Sequence, residues 1–370
     1  MKNKSGIAIF SPSLEGGGAE LVVVNLANHL YYYDKNISLI LSKSSGLLIK
    51  SLSADIELID LKSKRVIFSL FKLIKYLQKA RPKVLISHQS HLNIIAILAK
   101  ILAHSHTKLI VCEHANQKIM SYYSPQFLDK ILPFLEGIFY PFADAVLAVS
   151  QGIMNELKGV MLFRKNIVHL IYNPIITPRI TELSKLEMPD WFIQLKKKNK
   201  IILSVGRLSY EKDFITLIKS LRLVRDQKDI ALCILGEGPQ RNELMKYARE
   251  LHVENNLFMP GFVENPFVYY KNSDVFVLSS VYEGFGNVLV EAMACGIPVI
   301  STNCPSGPAE ILENGKFGRL VQPQDPYALA QAIVEALDNP PDTKAAKIRA
   351  NDFTVEKATQ KYIDLIESLV

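Results

Sequence analysis

Short apolar runs alternate with longer helical patterns along the whole chain, and this alternation limits the fold more than any other feature. Runs such as GIAIF at 6–10, ISLIL at 37–41 and IILSVG at 201–206 have the length of buried strands. Helical stretches, such as those that start at Ala19 and Leu92, separate several of these runs. Strands that alternate with helices predict a parallel sheet covered on both faces. The sequence therefore predicts a doubly wound α/β fold.

The alternation stops once, over residues 173–190, where prolines and polar residues interrupt it. It then restarts, so we expect two Rossmann-like domains of similar size. The predicted bounds are 1–180 and 191–350, with a C-terminal helix over 351–370 that packs back towards the first domain. In open α/β sheets, ligands bind at the carboxyl ends of the strands. A cleft between the two domains is therefore the expected ligand site.

The net charge of +7 is confined to the first half of the chain. Residues 1–190 hold 22 Lys+Arg and 14 Asp+Glu, a balance of +8, whereas residues 191–370 hold 21 and 22, a balance of −1. We therefore expect the two halves to meet different partners.

Cysteine content and hydropathy point to the cytoplasm. The four cysteines show no C-x-x-C spacing, which argues against a zinc site or a disulfide framework and suits a reducing compartment. The first apolar run is too short for a signal peptide, and no uncharged run approaches the roughly 20 residues of a membrane span.

Two glutamates, Glu283 and Glu291, flank a glycine turn in the segment YEGFGNVLVEAMA. The turn follows a predicted strand, and a helix should begin near Gly286. The unpaired amides of Gly286, Asn287 and Val288 would then bind an anion, most readily a phosphate. The alternative is a plain helix cap with a surface glutamate.

A second strand that ends in glycine, in SVGRLSYEKDF at 204–214, is followed by Arg207 and Lys212. Two cations at the carboxyl end of a strand suit a diphosphate leaving group. Surface salt bridges are the alternative for either residue alone, but two anion-binding turns in one half of the chain favour the diphosphate.

A basic segment over residues 62–83 contains eight Lys and Arg residues and no acid. On a helix, its cations and its apolar residues would occupy separate faces, the first formed by Arg65, Lys72, Lys75 and Lys79 and the second by Val66, Leu70, Leu73, Ile74 and Leu77. This pattern is typical of an amphipathic helix at an anionic membrane surface, and equally of a helix packed on the first sheet. The charge asymmetry and the aromatic residues of 119–142 favour the membrane. Nucleic acid is not an expected partner, because no recognised nucleic-acid module is visible.

The motifs GRLSYEK, GEGP, PGFVEN, EGFGNVLVE and GIPVIST, in this order, resemble glycosyltransferase family four, of the group 1 type. The resemblance covers nearly the whole second half. In the first half, SPSLEGGGAE at 11–20 is similar to the family's glycine-rich loop and CEH at 112–114 to its strand-end histidine. The resemblance implies a GT-B fold, in which two Rossmann-like domains face each other across a cleft. It also implies that the first domain binds the acceptor and the second the nucleotide sugar.

The resemblance further implies roles for single residues. Arg207 and Lys212 would neutralise the donor diphosphate, while Glu283 and His114 would contact the donor sugar. Glu291 would bind the ribose, and residues 261–263 would hold the base. The implied donor contacts are Gly17, Gly18, Gly261, Phe262, Val263, Phe285, Gly286, Asn287, Val288 and Glu291. One position departs from the family, because Asp213 stands where a glycine usually follows the EK pair. Two further histidines, His88 and His91, either line the acceptor cleft or are structural.

The implied activity is retaining transfer of a hexose or N-acetylhexosamine from a UDP-sugar to a glycan acceptor. The expected acceptor is lipid-linked and serves surface polysaccharide or glycoprotein assembly. No D-x-D pair lies in a plausible loop, so we expect no metal and no cofactor beyond the UDP-sugar co-substrate. The expected location is the inner face of the cell membrane, as a peripheral protein. Two alternatives stay open: a nucleotide-sugar epimerase of GT-B fold, and a non-catalytic membrane protein that binds nucleotide sugars.

Overall fold

The structure is a computed structural model that describes residues 6–124 and 126–370. The chain divides into two compact units, one that runs up to Ile175 and includes Phe353–Val370, and one formed by Ile176–Asp352. The boundary after Ile175 lies inside the interrupted segment 173–190, five residues before the expected end of the first domain. The short helix that follows the boundary belongs to the second unit.

The first unit contains a seven-stranded parallel sheet in the order β3-β2-β1-β4-β5-β6-β7. Its strands are β1 Ile7–Ser11, β2 Ile37–Leu41, β3 Glu57–Asp60, β4 Val84–His88, β5 Lys108–Glu113, β6 Ala145–Ala148 and β7 Val168–Leu170. Its helices up to residue 175 are α1 Gly18–Tyr33, α2 Ser69–Ala80, α3 Ser90–Leu102, α4 Gln117–Tyr123, α5 Phe127–Phe139 and α6 Gln151–Val160.

The second unit contains a six-stranded parallel sheet in the order β10-β9-β8-β11-β12-β13. Its helices are α7 Arg179–Leu183, α8 Asp190–Lys198, α9 Phe214–Arg225, α10 Arg241–Glu250, α11 Phe267–Asn272, α12 Asn287–Cys295, α13 Pro308–Ile311, α14 Pro326–Asp338 and α15 Lys344–Ala350. Its strands are β8 Lys200–Val205, β9 Ile230–Leu235, β10 Leu257–Gly261, β11 Val275–Leu278, β12 Val299–Thr302 and β13 Arg319–Val321. The α/β prediction is confirmed.

Strand order in the first unit places its helices on opposite faces of the sheet. The connection from β1 to β2 runs one way along the sheet, and the connections from β3 to β7 run the other way. Because such crossovers are right-handed, α1 covers one face and α2, α3 and α5 cover the other. The last helix, α16 Val355–Leu369, packs against α1.

The basic segment 62–83 forms only part of the expected amphipathic helix. Residues Val66–Phe68 make a 3₁₀ turn, and α2 begins at Ser69, so Arg65 and Val66 lie outside it. Leu73 and Leu77 are buried, as the predicted apolar face requires, while Lys75 and Lys79 are exposed. None of the helices in the described part of the chain has the length and apolar composition of a membrane span.

Tyr362 ties α16 into the core of the first unit. Its side chain is 2% exposed, and it belongs to the same apolar cluster as residues of β1, β2 and β5. The Tyr362 hydroxyl lies 3.6 Å from the Cys112 sulfur. The end of the chain therefore stabilises a sheet whose first strand begins at residue 7.

We expect Tyr362→Ala to destabilise the first unit by about 3–5 kcal/mol, because loss of a buried aromatic side chain leaves a cavity. Native-state hydrogen exchange of β1 and β4 measures the opening free energy. Gln360→Ala, at an exposed position of the same helix, is the control. Equal protection in the two variants would show that α16 adds nothing to this core.

Candidate active site

The turn before α12 has the predicted form. The helix begins at Asn287 and is capped by Gly286 at φ 104°, so the expected start near Gly286 is confirmed. A side chain would be strained at this φ. Gly307 also has φ 104°, and a Cβ atom there would lie 1.8 Å from the carbonyl oxygen of Phe285. The two glycines let the chain fold closely around the N-terminus of α12, an end that attracts anions.

An ion pair joins the loops after β8 and β11. The Lys212 ammonium lies 2.7 Å from Oε1 of Glu283, and the Ser280 hydroxyl donates to the same oxygen at 2.6 Å. The Ser279 hydroxyl donates to the Lys212 carbonyl oxygen at 2.7 Å. Burial opposes the charge of Lys212, but the Glu283 carboxylate prevails and raises the Lys212 pKa above its ordinary value. Lys212 and Glu283, which were predicted from separate motifs, thus form one hydrogen-bonded ion pair.

Arg207 and Asp213 occupy the same loop but face different surroundings. The Arg207 side chain is exposed and forms no ion pair within residues 6–124 and 126–370, which leaves its charge available to an anion. Asp213 adopts a left-handed backbone conformation, φ 45°, and its Oδ1 accepts the Thr216 amide at 3.3 Å to cap α9. Glycine takes this conformation most readily, which gives a physical reason for the family's preference. The Asp213 carboxylate is engaged by the helix.

Glu291 is the fifth residue of α12 and only 6% exposed. The hydroxyl of Tyr270, on α11, donates to its Oε2 at 3.0 Å. Burial raises the Glu291 pKa to about 7, against the lowering effect of this hydrogen bond. Sequence reasoning missed Tyr270, because nothing in the local pattern relates it to a residue 21 positions later.

The three residues expected to hold a base lie at the end of the edge strand β10. Gly261 has φ 96°, and a Cβ atom there would lie 2.7 Å from Oε1 of Glu237. The Phe262 ring is about half exposed, at 47%, and Val263 is partly buried. An exposed ring beside a glycine offers a flat apolar surface to a planar group.

The glycine-rich loop of the first unit leads directly into α1, and the expected contact of Gly17 and Gly18 with the donor stays a prediction. The amides of Gly16 and Gly17 donate to Oε2 of Glu20, at 2.8 and 3.0 Å. The Glu20 carboxylate therefore caps α1 by accepting these amides, and Gly18 is the first residue of the helix. Glu20 was missed, although an acid at the third helical position is the usual sign of a capping box.

Two histidines meet at the carboxyl ends of β4 and β5. Nδ1 of His88 lies 2.8 Å from Nε2 of His114, and the rings are stacked. Burial lowers the His114 pKa to about 4, and burial together with His114 lowers the pKa of His88. Both rings are thus neutral near pH 7. His88 was left between an acceptor-lining and a structural role, and here it supports His114. His91, at the start of α3, is not part of this pair.

Glu113 anchors the loop that carries His114. Its Oε1 accepts the backbone amides of His114 and Ala115, at 3.0 and 3.2 Å, and the Gln117 side chain at 3.3 Å. Its Oε2 accepts the hydroxyls of Ser90 and Tyr140, at 2.8 and 2.7 Å. Glu113 was also missed, although its place beside His114 at a strand end was a usable signal.

Two sequence families match the chain. Residues 16–179 match the profile described as Glycosyltransferase Family 4, and residues 189–353 match the one described as Glycosyl transferases group 1. A Campylobacter jejuni enzyme, N-acetylgalactosamine-N,N'-diacetylbacillosaminyl-diphospho-undecaprenol 4-alpha-N-acetylgalactosaminyltransferase, is 32% identical over 265 residues, which is 70% of each chain. The chain belongs to glycosyltransferase family 4, of the group 1 type.

Two further comparisons cover almost the whole family 4 chain. A second Campylobacter jejuni enzyme is 29% identical over 379 residues, 97% of this chain and 98% of that one. Its name is GalNAc-alpha-(1->4)-GalNAc-alpha-(1->3)-diNAcBac-PP-undecaprenol alpha-1,4-N-acetyl-D-galactosaminyltransferase. HepE from Anabaena, solved in complex with UDP and glucose, superposes with a TM-score of 0.81 at 22% identity, over 98% of this chain and 99% of that one. These comparisons confirm the predicted GT-B fold class.

In this glycosyltransferase, the second unit brings together most of the residues singled out in the sequence. Arg207, Lys212, Glu283 and the N-terminus of α12 lie on the loops after β8 and β11, and Glu291 lies one turn into the helix. The contact that joins these two loops is the Lys212–Glu283 pair.

We expect Lys212→Met and Glu283→Gln each to destabilise the second unit by about 1–3 kcal/mol, because each leaves a mostly buried charge without its counter-ion. The double variant should lose less stability than the sum of the losses in the two single variants. Urea unfolding followed by the fluorescence of Trp191, the single tryptophan of the chain, reports on this unit. The exposed pair Lys246–Glu250, at 3.8 Å, is the matched control, with a coupling of at most about 0.5 kcal/mol. A coupling no larger than the control's would contradict a structural role for the pair.

Proposed function

We propose that this glycosyltransferase moves a hexose or an N-acetylhexosamine from a UDP-sugar to a lipid-linked glycan, with retention and without a metal. The observation that carries the proposal is the Lys212–Glu283 contact, three residues before Gly286. It places a cation beside the turn that opens α12. With Arg207 exposed on the same loop as Lys212, this surface suits a diphosphate.

The donor-side assignments follow the family pattern on the residues of the second unit. Glu291 binds the ribose and Gly261, Phe262 and Val263 hold the base. The UDP and glucose found with HepE support a UDP-sugar as the donor. Glu283, held by Lys212 and Ser280, contacts the donor sugar.

Retention follows from reaction on one face of the sugar. The bond between the anomeric carbon and the phosphate oxygen breaks while the acceptor oxygen bonds to the same face. The acceptor's proton passes to the departing phosphate oxygen, so no protein base is needed. Arg207, Lys212 and the helix amides at Gly286–Val288 stabilise the negative charge that develops on the leaving diphosphate. These groups supply the charge that a metal ion would otherwise provide.

A lipid-linked acceptor is supported by the two Campylobacter relatives, whose names both specify acceptors on diphospho-undecaprenol or PP-undecaprenol. We assign acceptor binding to the first unit, which carries the excess of positive charge. Surface polysaccharide or glycoprotein assembly is the process that consumes such a product.

An anionic membrane surface is the proposed partner of α2 and the α4–α5 junction. Phe71 of α2 is 67% exposed, and Tyr122 and Phe127, on either side of the junction, are 82% and 74% exposed. Exposed aromatic rings suit a membrane interface. The Lys72 ammonium is engaged instead by the carbonyl oxygens of Leu61 and Lys62. We propose attachment at the inner face of the cell membrane.

Retention and metal independence can be tested in one assay. We expect an α-linked UDP-sugar to give an α-linked product, read from the anomeric proton coupling by NMR, with full turnover in excess EDTA. A β-linked product would contradict the mechanism, and reversible loss of activity in EDTA would contradict metal independence. Conversion of the UDP-sugar without any acceptor would favour an epimerase.

Membrane attachment predicts that the double variant Lys75→Ser/Lys79→Ser binds anionic vesicles more weakly. Two lost cations remove about 2 kcal/mol, or roughly thirtyfold in the partition constant. The charge-matched control is Lys357→Ser/Lys361→Ser, on α16 and thus on the other face of the sheet. Equal cosedimentation of the two variants would assign α2 to ordinary surface packing.

A further inference from the structure

The contact between Tyr270 and Glu291 is a buried hydrogen bond with no role yet assigned. Tyr270 has no exposed surface, and its ring packs against Phe267 and Phe276, with ring centroids at 6.2 and 5.5 Å. The ring is therefore held in place by α11 and β11. Its hydroxyl donates to Oε2 of Glu291 at 3.0 Å.

The two oxygens of Glu291 have different surroundings. Oε2 receives the Tyr270 hydroxyl, whereas no residue in the described part of the chain donates to Oε1. A carboxylate accepts several hydrogen bonds and an ionised acceptor strengthens each of them. With Oε2 held, Oε1 is the oxygen open to a further donor.

Two opposing effects determine whether the Glu291 carboxyl group is ionised. Burial disfavours the carboxylate, and the hydroxyl of Tyr270 favours it. The helix itself carries Cys295, and α11 also carries Tyr269 and Lys271. Of the other elements packed against α12, β11 and β12 have no titratable side chain, α13 has Glu310, and α15 has Lys344, Lys347 and Arg349. Tyr270 is the only group among these that hydrogen-bonds to the Glu291 carboxyl group.

We propose that Tyr270 is a positioning residue for nucleotide binding: its hydroxyl holds Oε2 of Glu291 as a carboxylate and leaves Oε1 to accept a ribose hydroxyl. The inference rests on the proposed function, since it takes the nucleotide of a nucleoside diphosphate sugar as the ligand. Tyr270 touches no reacting atom and acts only through Glu291.

The sign of the pH dependence follows from this role. The nucleotide binds the ionised carboxylate, so affinity is lost as pH falls through the Glu291 pKa. Removal of the Tyr270 hydroxyl raises that pKa, so the loss begins at a higher pH. Tyr270→Phe therefore weakens binding at neutral pH and is rescued by alkaline buffer. A purely structural defect has no such rescue.

The test is calorimetry of UDP binding to wild type and Tyr270→Phe at pH 7.0 and 8.5. If the Glu291 pKa rises by one unit from about 7, we expect the Kd of the variant to be about fivefold weaker than that of wild type at pH 7.0. At pH 8.5 the two Kd values should agree within about twofold. Ionisation of UDP affects binding to both proteins equally, so it cancels in the ratio of the variant Kd to the wild-type Kd at each pH. Tyr269→Phe, the neighbouring position on α11, is the matched control and should follow wild type at both values.

Each other outcome overturns the inference. A ratio near one at both pH values shows that Tyr270 has no role in binding, and a large ratio at both shows that it is structural. The titration of Glu291, followed by NMR with carboxyl-labelled glutamate and assigned with Glu291→Gln, needs no ligand. A Glu291 pKa that is not higher in Tyr270→Phe contradicts the inference directly. If wild type binds no UDP at any pH, the proposed function fails, and this titration still decides the role of Tyr270.

Discussion

The pairing of β8 with β11 is the constraint on which the candidate site depends. Ile202 pairs with Val275 and Leu203 with Phe276, and the chain leaves β8 towards β9 on the other side. The strand order therefore reverses between β8 and β11, the point at which open α/β sheets bind ligands. Parallel register brings both following loops to one edge, where Lys212 meets Glu283. The first unit reverses in the same way between β1 and β4. The glycine-rich loop follows β1, and His88, the last residue of β4, lies against His114, which follows β5.

Buried polar groups near these edges follow one rule, that a buried charge needs a partner. Glu283 has Lys212 and Ser280, and Glu113 has five donors. Where a buried carboxyl group has few hydrogen-bond donors, its protonated form is favoured and its pKa rises. Burial and the nearby Glu113 raise the pKa of Glu136 well above its ordinary value, and burial raises that of Glu156 to about 7. Burial likewise lowers the pKa values of His88 and His114, since no carboxylate in the described part of the chain pairs with either ring.

Most of the strands were predictable because their apolar runs were complete. The two exceptions lie at the edges of the first sheet. Along β3, with sequence ELID, three of four residues are exposed, and β7 has only three residues, so neither shows a buried-strand pattern. The start of α12 was predictable because Gly286 precedes an apolar helical run. The start of α2 was not, because Val66 and Phe68 continue the same pattern in a 3₁₀ turn. The left-handed backbone conformation of Asp213 was not predictable either, because it depends on the helix that Asp213 caps.

The sequence by itself determined the fold class, the place of the two glycine turns after β8 and β11 and the charge difference between the halves, because each depends on residues that are neighbours in the chain. Only the tertiary structure decided which groups meet. Lys212 and Glu283 are 71 positions apart, Tyr270 and Glu291 are 21 apart, and His88 and His114 are 26 apart. Local periodicity tells which face of an element is buried, but not which element lies against it. That choice depends on strand order, which brings distant loops to one edge and gives each buried carboxylate its partner.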